Sequence, residues 1–519
     1  MHGFDDVKQV QDDPNDTRPW YKLLNSYHWF VLVVAALGWL FDCLDQQLFI
    51  LARPAAMKDL ITEVSVSETV SSTGFSDDPK LVDISRRNWS NISTSVFIVG
   101  WATGGLIFGM LGDRIGRAKT MMLTILIYSL CTGLSAASYT VYDFSFYRFL
   151  TGMGVGGEFA VGVALVAEVM PARARPYALA TLQALSAIGN VSAALIFLAL
   201  GTVGEEGLPA SPWRIMFLVG ALPAFLALLI RGRLKEPERW RSATSDKGGK
   251  NPLGSYRELL GDPLWRKHAI IGLLLACSGV IGLWAVGFFT PDLTSYVLRK
   301  SVAISVYDKH IAAAKIAGNA VLVDDLTKAR TIEAEAKTNS PQFPDELAAS
   351  RKQAKEEVDW EMTLWQSMTS IAINVGAFLG MFGFGVVAQK IGRKPTFAIA
   401  LLAAFFSTIT VFWFLREPWQ IFVLVPIMGF CQLSLFAGYA IYFPELFPTR
   451  LRSTGVSFCY NVGRFVTAAG ILVKGSIETA FSNTPEPLRY AGIAMCVVFL
   501  IGLFVLPFAP ETRGKPLPE

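Results

Sequence analysis

Apolar runs of roughly 18 to 25 residues, the length that crosses a ~30 Å hydrocarbon core as a helix, recur along nearly the whole of this chain. They fall near 29–52, 90–111, 120–138, 143–170, 176–202, 213–232, 268–291, 361–388, 396–414, 419–443, 453–474 and 489–509. Twelve such runs in 519 residues describe a polytopic membrane protein rather than a multidomain soluble one. Composition agrees: 52% of residues are apolar and 17% charged, against about a quarter charged in soluble domains. The mean hydropathy is +0.42.

The first 28 residues are polar and acidic, with no basic region leading into an apolar one, so a cleaved signal peptide is not expected. Basic residues in "GDRIGRAK", "PARARP", "QKIGRK" and "PTRLRS" fall on one side, with the stretch around 231–267. The loop "GTVGEEGLPASP" on the opposite side has none. The positive-inside rule therefore predicts both termini in the cytoplasm of an inner or plasma membrane protein. The net charge of +4 then belongs to that face and gives no reason to expect nucleic acid. All six cysteines lie in expected spans and read as small buried hydrophobes, without metal-ligand spacing. The four histidines sit in loops or at span ends, away from mid-membrane.

The chain repeats itself. Gly100, Gly104, Gly109, Gly116 and Arg117 recur as Gly376, Gly380, Gly385, Gly392 and Arg393, each 276 residues on. "EVMPARAR" (Glu168 to Arg175) recurs as "ELFPTRLR" (Glu445 to Arg452), displaced by 277. Two homologous six-span halves are a transporter signature, because two similar bundles can rock about a site held between them. The expected division is a tail over 1–28, a first bundle over 29–232, a central loop over 233–267, a second bundle over 268–509 with an extracytoplasmic insertion at 292–360, and a tail over 510–519.

At these residues the chain resembles the major facilitator superfamily, whose marker after the second span is G-x-x-x-D-R-x-G-R. Here it stands as Gly109, Asp113, Arg114, Gly116 and Arg117, with Ala118 at the usual final basic position, Lys119 one place beyond, and Gln389 replacing Asp113 in the second copy. The resemblance implies an all-α membrane protein, twelve transmembrane helices in two pseudo-symmetric six-helix bundles. It implies a monomeric carrier of a small-molecule solute, without cofactor or metal. It also implies a conformational latch in which Asp113 meets basic partners such as Arg173. A turn carrying Asp113 can place its carboxylate at the N-terminus of a neighbouring helix, where the dipole favours negative charge. Glu168, Arg175, Arg393, Glu445, Arg450 and Arg452 read as further latch residues. "RFLTGMGVGGE", "LKEPERW" and "APETRGKPL" look like the sugar-porter and related solute–proton symporter branches, and "FDCLD" like the aromatic-acid, sialate or monocarboxylate symporters.

Asp42 and Asp45 lie in the first span and, three apart, share a helical face. At 1.5 Å per residue they sit roughly 20 and 24 Å from the cytoplasmic side, and Arg148 about 8 Å below the outer surface, so Asp45 and Arg148 are level. A charge in a span costs about 2.5–3.5 kcal/mol on insertion scales, which calls for a partner or an aqueous cavity. Asp45 is expected to pair with Arg148; in the sugar-porter pattern such a pair couples protonation to the conformational change. Two nearby carboxylates disfavour double ionisation, so one of Asp42 and Asp45 should take a proton readily. A static pair that only fixes helix packing is the alternative. Glu158, about 23 Å below the outer surface, reads equally as a second proton stop or a packing partner.

In the second half Arg464 lies about 17 Å inside the eleventh span, where an unpaired guanidinium can hold a carboxylate bidentately. Tyr460 and Asn461 share its face approximately. Other cavity candidates are Gln46, Gln183, Asn190, Trp284, Gln366, Asn374, Gln432 and Tyr439, though polar groups in spans also serve helix packing. The insertion is Ala-rich with mixed charge, which favours solvated helices. With no phosphate loop, metal cluster or nucleophile elbow, an enzyme is not expected. The leading expectation is proton-coupled symport of a small organic anion of monocarboxylate type. A sugar or polyol porter, or a sensor on a transporter scaffold, are the rivals.

Overall fold

Each apolar run continues as a helix until a local signal stops it. In the computed structural model, which describes residues 18–61, 79–203, 210–223, 225, 234–245, 253–283, 289–335, 343–481, 484 and 486–518, α1 (Ser26–Leu60) opens on Asn25. Its side chain accepts from His28 N–H at 2.8 Å while His28 Nδ1 accepts from Asn25 N–H at 3.2 Å, a reciprocal cap. Helix α2 (Pro79–Ile115) stops at Gly116, whose φ of 111° disfavours any side chain, and α3 (Arg117–Ala136) begins beyond it. Helices α4 (Val141–Val169), α5 (Arg175–Val203) and α6 (Pro212–Gly220) complete the described part of the first bundle.

Two short helices, α7 (Glu238–Ser245) and α8 (Tyr256–Gly261), lie in the central loop. The second half follows as α9 (Pro263–Ile281), α10 (Phe289–Ile316), α11 (Ala320–Glu335), α12 (Lys352–Ile391), α13 (Arg393–Phe414), α14 (Pro418–Leu446), α15 (Arg452–Ala480), α16 (Pro487–Met495) and α17 (Val498–Val505). Among the described residues ten helical stretches are long and apolar enough to cross a membrane. Helix α15, which carries Asn461 and Arg464, is not among the ten.

The repeat is visible in the packing. Helix α2 lies along α4 and α12 along α14. A Cβ at Gly100 or Gly104 would strike the Phe149 or Met153 carbonyl, and one at Gly376 or Gly380 the Pro426 or Phe430 carbonyl, so close backbone approach requires glycine at both copies. The halves meet along α2–α15 and α5–α12.

The ends of several helices differ from the hydropathy estimate. Helix α1 continues to Leu60 and α2 begins at Pro79, so both margins of the expected 53–89 loop are helical. Helix α12 has 40 residues, about 60 Å at 1.5 Å per residue, twice the hydrocarbon thickness. Its first turns pack with α10 and α11 around Leu298, Val302, Tyr307, Leu326, Ala329 and Val358, part of a second apolar cluster that continues into Val411 and Phe412 of α13 and Ile421 of α14. The described part of the insertion is thus mainly helical, with turns at 317–319 and 348–351.

Candidate functional site

On the face that carries the basic loops, the repeated motifs close the two halves on each other. Asp113 accepts from the Ser453 and Thr454 N–H groups at 3.1 and 2.8 Å and from Thr454 Oγ1 at 2.6 Å. These are orphan donors in the first turn of α15, where a carboxylate is favoured. Arg117 lies 2.9 Å from both Asp113 and Glu168 and donates to the Thr449 carbonyl at 2.8 Å. Arg452 reaches Glu168 at 2.9 Å from the other half. Gly109 admits Ser453 and Ser457, since a Cβ there would meet both.

The remaining motif residues stay closer to home. Arg114 donates to the Leu253 carbonyl at 3.2 Å, Arg450 pairs with Glu258 at 2.8 Å, and Arg175 donates to the Ala167 carbonyl at 2.8 Å. The partner of Asp113 is therefore the α15 N-terminus together with Arg117; Arg173, which the resemblance suggested, is half-buried and forms no ion pair with it among the described residues. In the second copy Arg393 pairs with Glu445 at 2.7 Å, and Glu445 also accepts from Thr512 at 2.6 Å.

At these helix starts two residues escaped the sequence reading. Glu236 accepts from the N–H groups of Arg117 and Ala118 at 2.7 and 3.2 Å, and Glu511 from those of Arg393 and Lys394 at 2.9 and 3.0 Å. Each caps a helix that follows a positive-φ glycine. They sit in "LKEPERW" and "APETRG", 275 residues apart, so the repeat displacement was the signal that pairs them. Burial alone would raise the Glu511 carboxyl, but backbone donors at Arg393, Lys394 and Arg513, with the Arg393 charge, hold it below the ordinary glutamate value.

Deeper in the first bundle Asp45 and Arg148 are both fully buried, with Arg148 Nη1 3.6 Å from Asp45 Oδ2. Thr132 donates to Asp45 at 2.8 Å, and Arg148 donates to Ser135 at 2.8 and 3.0 Å and to Thr151 at 3.1 Å. The Phe217 ring lies 4.6 Å from the guanidinium carbon. The pair is close but not hydrogen-bonded, an ion pair free to separate. Asp42 lies beside Glu158 instead; both are buried, and none of their four carboxyl oxygens is hydrogen-bonded among the described residues.

Where the halves meet, Arg464 is 2% exposed. It donates to the Tyr460 carbonyl at 2.9 Å and to Asn461 Oδ1 at 2.5 Å, and its guanidinium lies over the Trp101 and Tyr460 rings at 4.1 and 4.6 Å. No carboxylate pairs with it among the described residues. Phe159 of the first half packs, with tilted rings, against Trp39 at 4.4 Å and against Tyr460 at 4.5 Å between ring centroids. Trp39, Trp101 and Phe159 were not singled out from sequence, because nothing in their spacing tells an interface aromatic from a core one.

The other cavity candidates scatter. Asn190 donates to Asn374 at 2.9 Å, joining α5 to α12, and Gln183 is buried with its carbonyl unpaired. Gln46 is half-buried and Gln366 exposed. Gln432 donates to Thr408 at 2.5 Å and Tyr439 to the Leu275 carbonyl at 2.8 Å, so both join helices within the second half. Trp284 lies outside the described residues.

A family model described as Major Facilitator Superfamily matches residues 32–321 and 338–519. A putative metabolite transport protein of Haemophilus influenzae is 27% identical over 500 residues, covering 95% of this chain and 99% of that one. The niacin transporter NiaP of Acinetobacter baylyi is 30% identical over 514 residues, covering 95% and 96%. A probable 4-methylmuconolactone transporter of Cupriavidus pinatubonensis is 24% identical over 499 residues, covering 95% and 93%. In fold, the chain is similar to the proton:xylose symporter XylE bound to 6-bromo-6-deoxy-D-glucose, with a TM-score of 0.60 at 17% identity over 95% of this chain and 98% of that one. Because the family model runs through both bundles and the full-length relatives are transporters, the chain belongs to the Major Facilitator Superfamily and is a multi-pass membrane transporter.

Proposed function

We propose that the protein carries a small organic anion together with protons by alternating access, with the basic-loop face cytoplasmic. The observation that carries the anion is Arg464, a guanidinium buried between the halves and lacking a carboxylate partner among the described residues. A buried charge left uncompensated costs several kcal/mol, so a carboxylate supplied by the solute is the economical partner, and the planar fork suits it bidentately. A neutral sugar gives no such compensation. Trp101 and Tyr460 flank the guanidinium and supply apolar faces beside it. That NiaP is named a niacin transporter and that other relatives are named for muconate and sialic acid supports an acid substrate.

Asp45 is the proton carrier on this reading. When its carboxylate is protonated the attraction to Arg148 falls away, the guanidinium remains held by Ser135 and Thr151, and α1 is released from α4. The closed contacts around Asp113, Glu168 and Arg452 make this the conformation shut toward the cytoplasm. Vesicles containing the protein test the proposal by external pH: nicotinate, benzoate, lactate or sialate should produce alkalinisation that Asp45→Asn abolishes. A response only to a neutral sugar would overturn it.

A further inference from the structure

We infer that Asp42 and Glu158 form a second proton-binding site, separate from the Asp45–Arg148 pair. Both side chains are 1% exposed, the carboxyl groups lie beside each other with Glu158 Oε1 against Gly38, one turn of α1 before Asp42, and none of their four oxygens has a hydrogen-bond partner among the described residues. An ionised carboxylate only accepts, so two of them cannot satisfy one another; one proton held between them lets one donate to the other. Neither forms an ion pair with a Lys, Arg or His among the described residues, and no donor among them satisfies any of the four oxygens. Asp45, by contrast, has Thr132 and Arg148.

A second observation points the same way. The Tyr128 hydroxyl, fully buried on α3, lies beside Asp42 and has no partner within hydrogen-bond geometry in this conformation. It is placed to donate to Asp42 once the shared proton leaves. Gly38 makes room for the arrangement, since a Cβ there would collide with Glu158 Oε1. The next residue, Phe159, packs on Tyr460 of the other half, so the site adjoins the interface that opens and closes.

The titratable surroundings are few. Asp45 lies one turn along α1, Cys43 stands beside both carboxyls, and Arg464 and Tyr460 reach Cys43 from α15. On α2, α5 and α6, which also pack on α1, titratable residues lie only near the helix ends. The proton thus comes from water when the site opens and returns to it. Where the symport reading holds, a monoanion moves with two protons and each turnover carries net positive charge.

The site itself is testable without any solute. Infrared difference spectra of the purified full-length protein in lipid, stepped in pH in sodium-free buffer, should show a deuterium-sensitive protonated-carboxyl stretch. It should persist in Asp45→Asn and be lost in Asp42→Asn and in Glu158→Gln. Gly38→Ala keeps every carboxyl but displaces Glu158, and should shift the band even if the other variants fail to fold. A band unaltered in Gly38→Ala, lost only with Asp45→Asn, or removed by sodium at constant pH would overturn the assignment. Failure of anion uptake with the band intact would count against the transport proposal alone.

Discussion

The two halves share a fold and divide the charge. In each, a positive-φ glycine ends a long helix, an arginine follows, and a glutamate at a helix end receives it: Arg117 with Glu168 at 2.9 Å, Arg393 with Glu445 at 2.7 Å. Yet Asp113 crosses to the other half, whereas Gln389 in its place accepts from Arg393 of its own half, at 3.3 Å. Asp42, Asp45 and Glu158 are buried mid-span in the first half, and Arg464 in the second. Duplication settles where helices go, while the positions at which the copies diverge place the buried carboxyls in one half and the buried guanidinium in the other, the division on which the proposed proton and anion roles rest.

The largest expected effect breaks that division from the second half. Arg464→Ala should lower anion uptake at least about thirtyfold, the lower end of the roughly 2–5 kcal/mol attached to truncating a buried charged contact. Arg464→Lys, which keeps the charge without the fork, should fall between the two in initial-rate assays. Equal rates for all three would remove the anion role.

In the first half, Asp45→Asn should leave Arg148 uncompensated and destabilise the protein by about 3–5 kcal/mol. Adding Arg148→Gln should recover thermal stability without restoring proton-driven accumulation. Recovery of both would make the pair purely structural.

The latches give a direct contrast. Asp113→Asn removes charge-assisted bonds worth about 1.5–3 kcal/mol each and should raise labelling of Ser457→Cys by an impermeant thiol reagent from the basic-loop side. Gln389→Asn should change labelling little, because among the described residues Gln389 bonds within its own half. Equal responses would mean that the asymmetry has no conformational consequence.

The smallest effect concerns the C-terminal tail. Glu511→Gln should cost about 1 kcal/mol of helix capping. The folded carboxyl titrates below its unfolded value, so its contribution is complete above the unfolded value near 4.5 and is lost as pH falls through the depressed one. Thermal melts of wild type and variant should therefore differ at neutral pH and converge in acid.

Part of the site was legible in sequence because it depends on depth alone. Asp45 and Arg148 are brought level by counting residues along two antiparallel helices, and the structure puts them 3.6 Å apart. The juxtaposition of Asp42 with Glu158 was not legible: two residues on different helices meet only if both helices are rotated toward each other. The same rotation leaves Gln366 exposed and turns Tyr439 toward the Leu275 carbonyl. Asp113 was expected near a helix N-terminus, but the identity of that helix waited on how the halves close.

By itself the sequence determined the membrane class, the duplication, the glycine-lined close approaches and the presence of charges too deep to stand alone. Each of these follows from length, spacing and transfer cost within single segments. Only the tertiary structure decided that Asp113 caps α15, that Asp42 lies beside Glu158 and that Arg464 lacks a carboxylate among the described residues. Such pairings depend on helix rotation and on the seating of one half against the other, which packing across many helices fixes together.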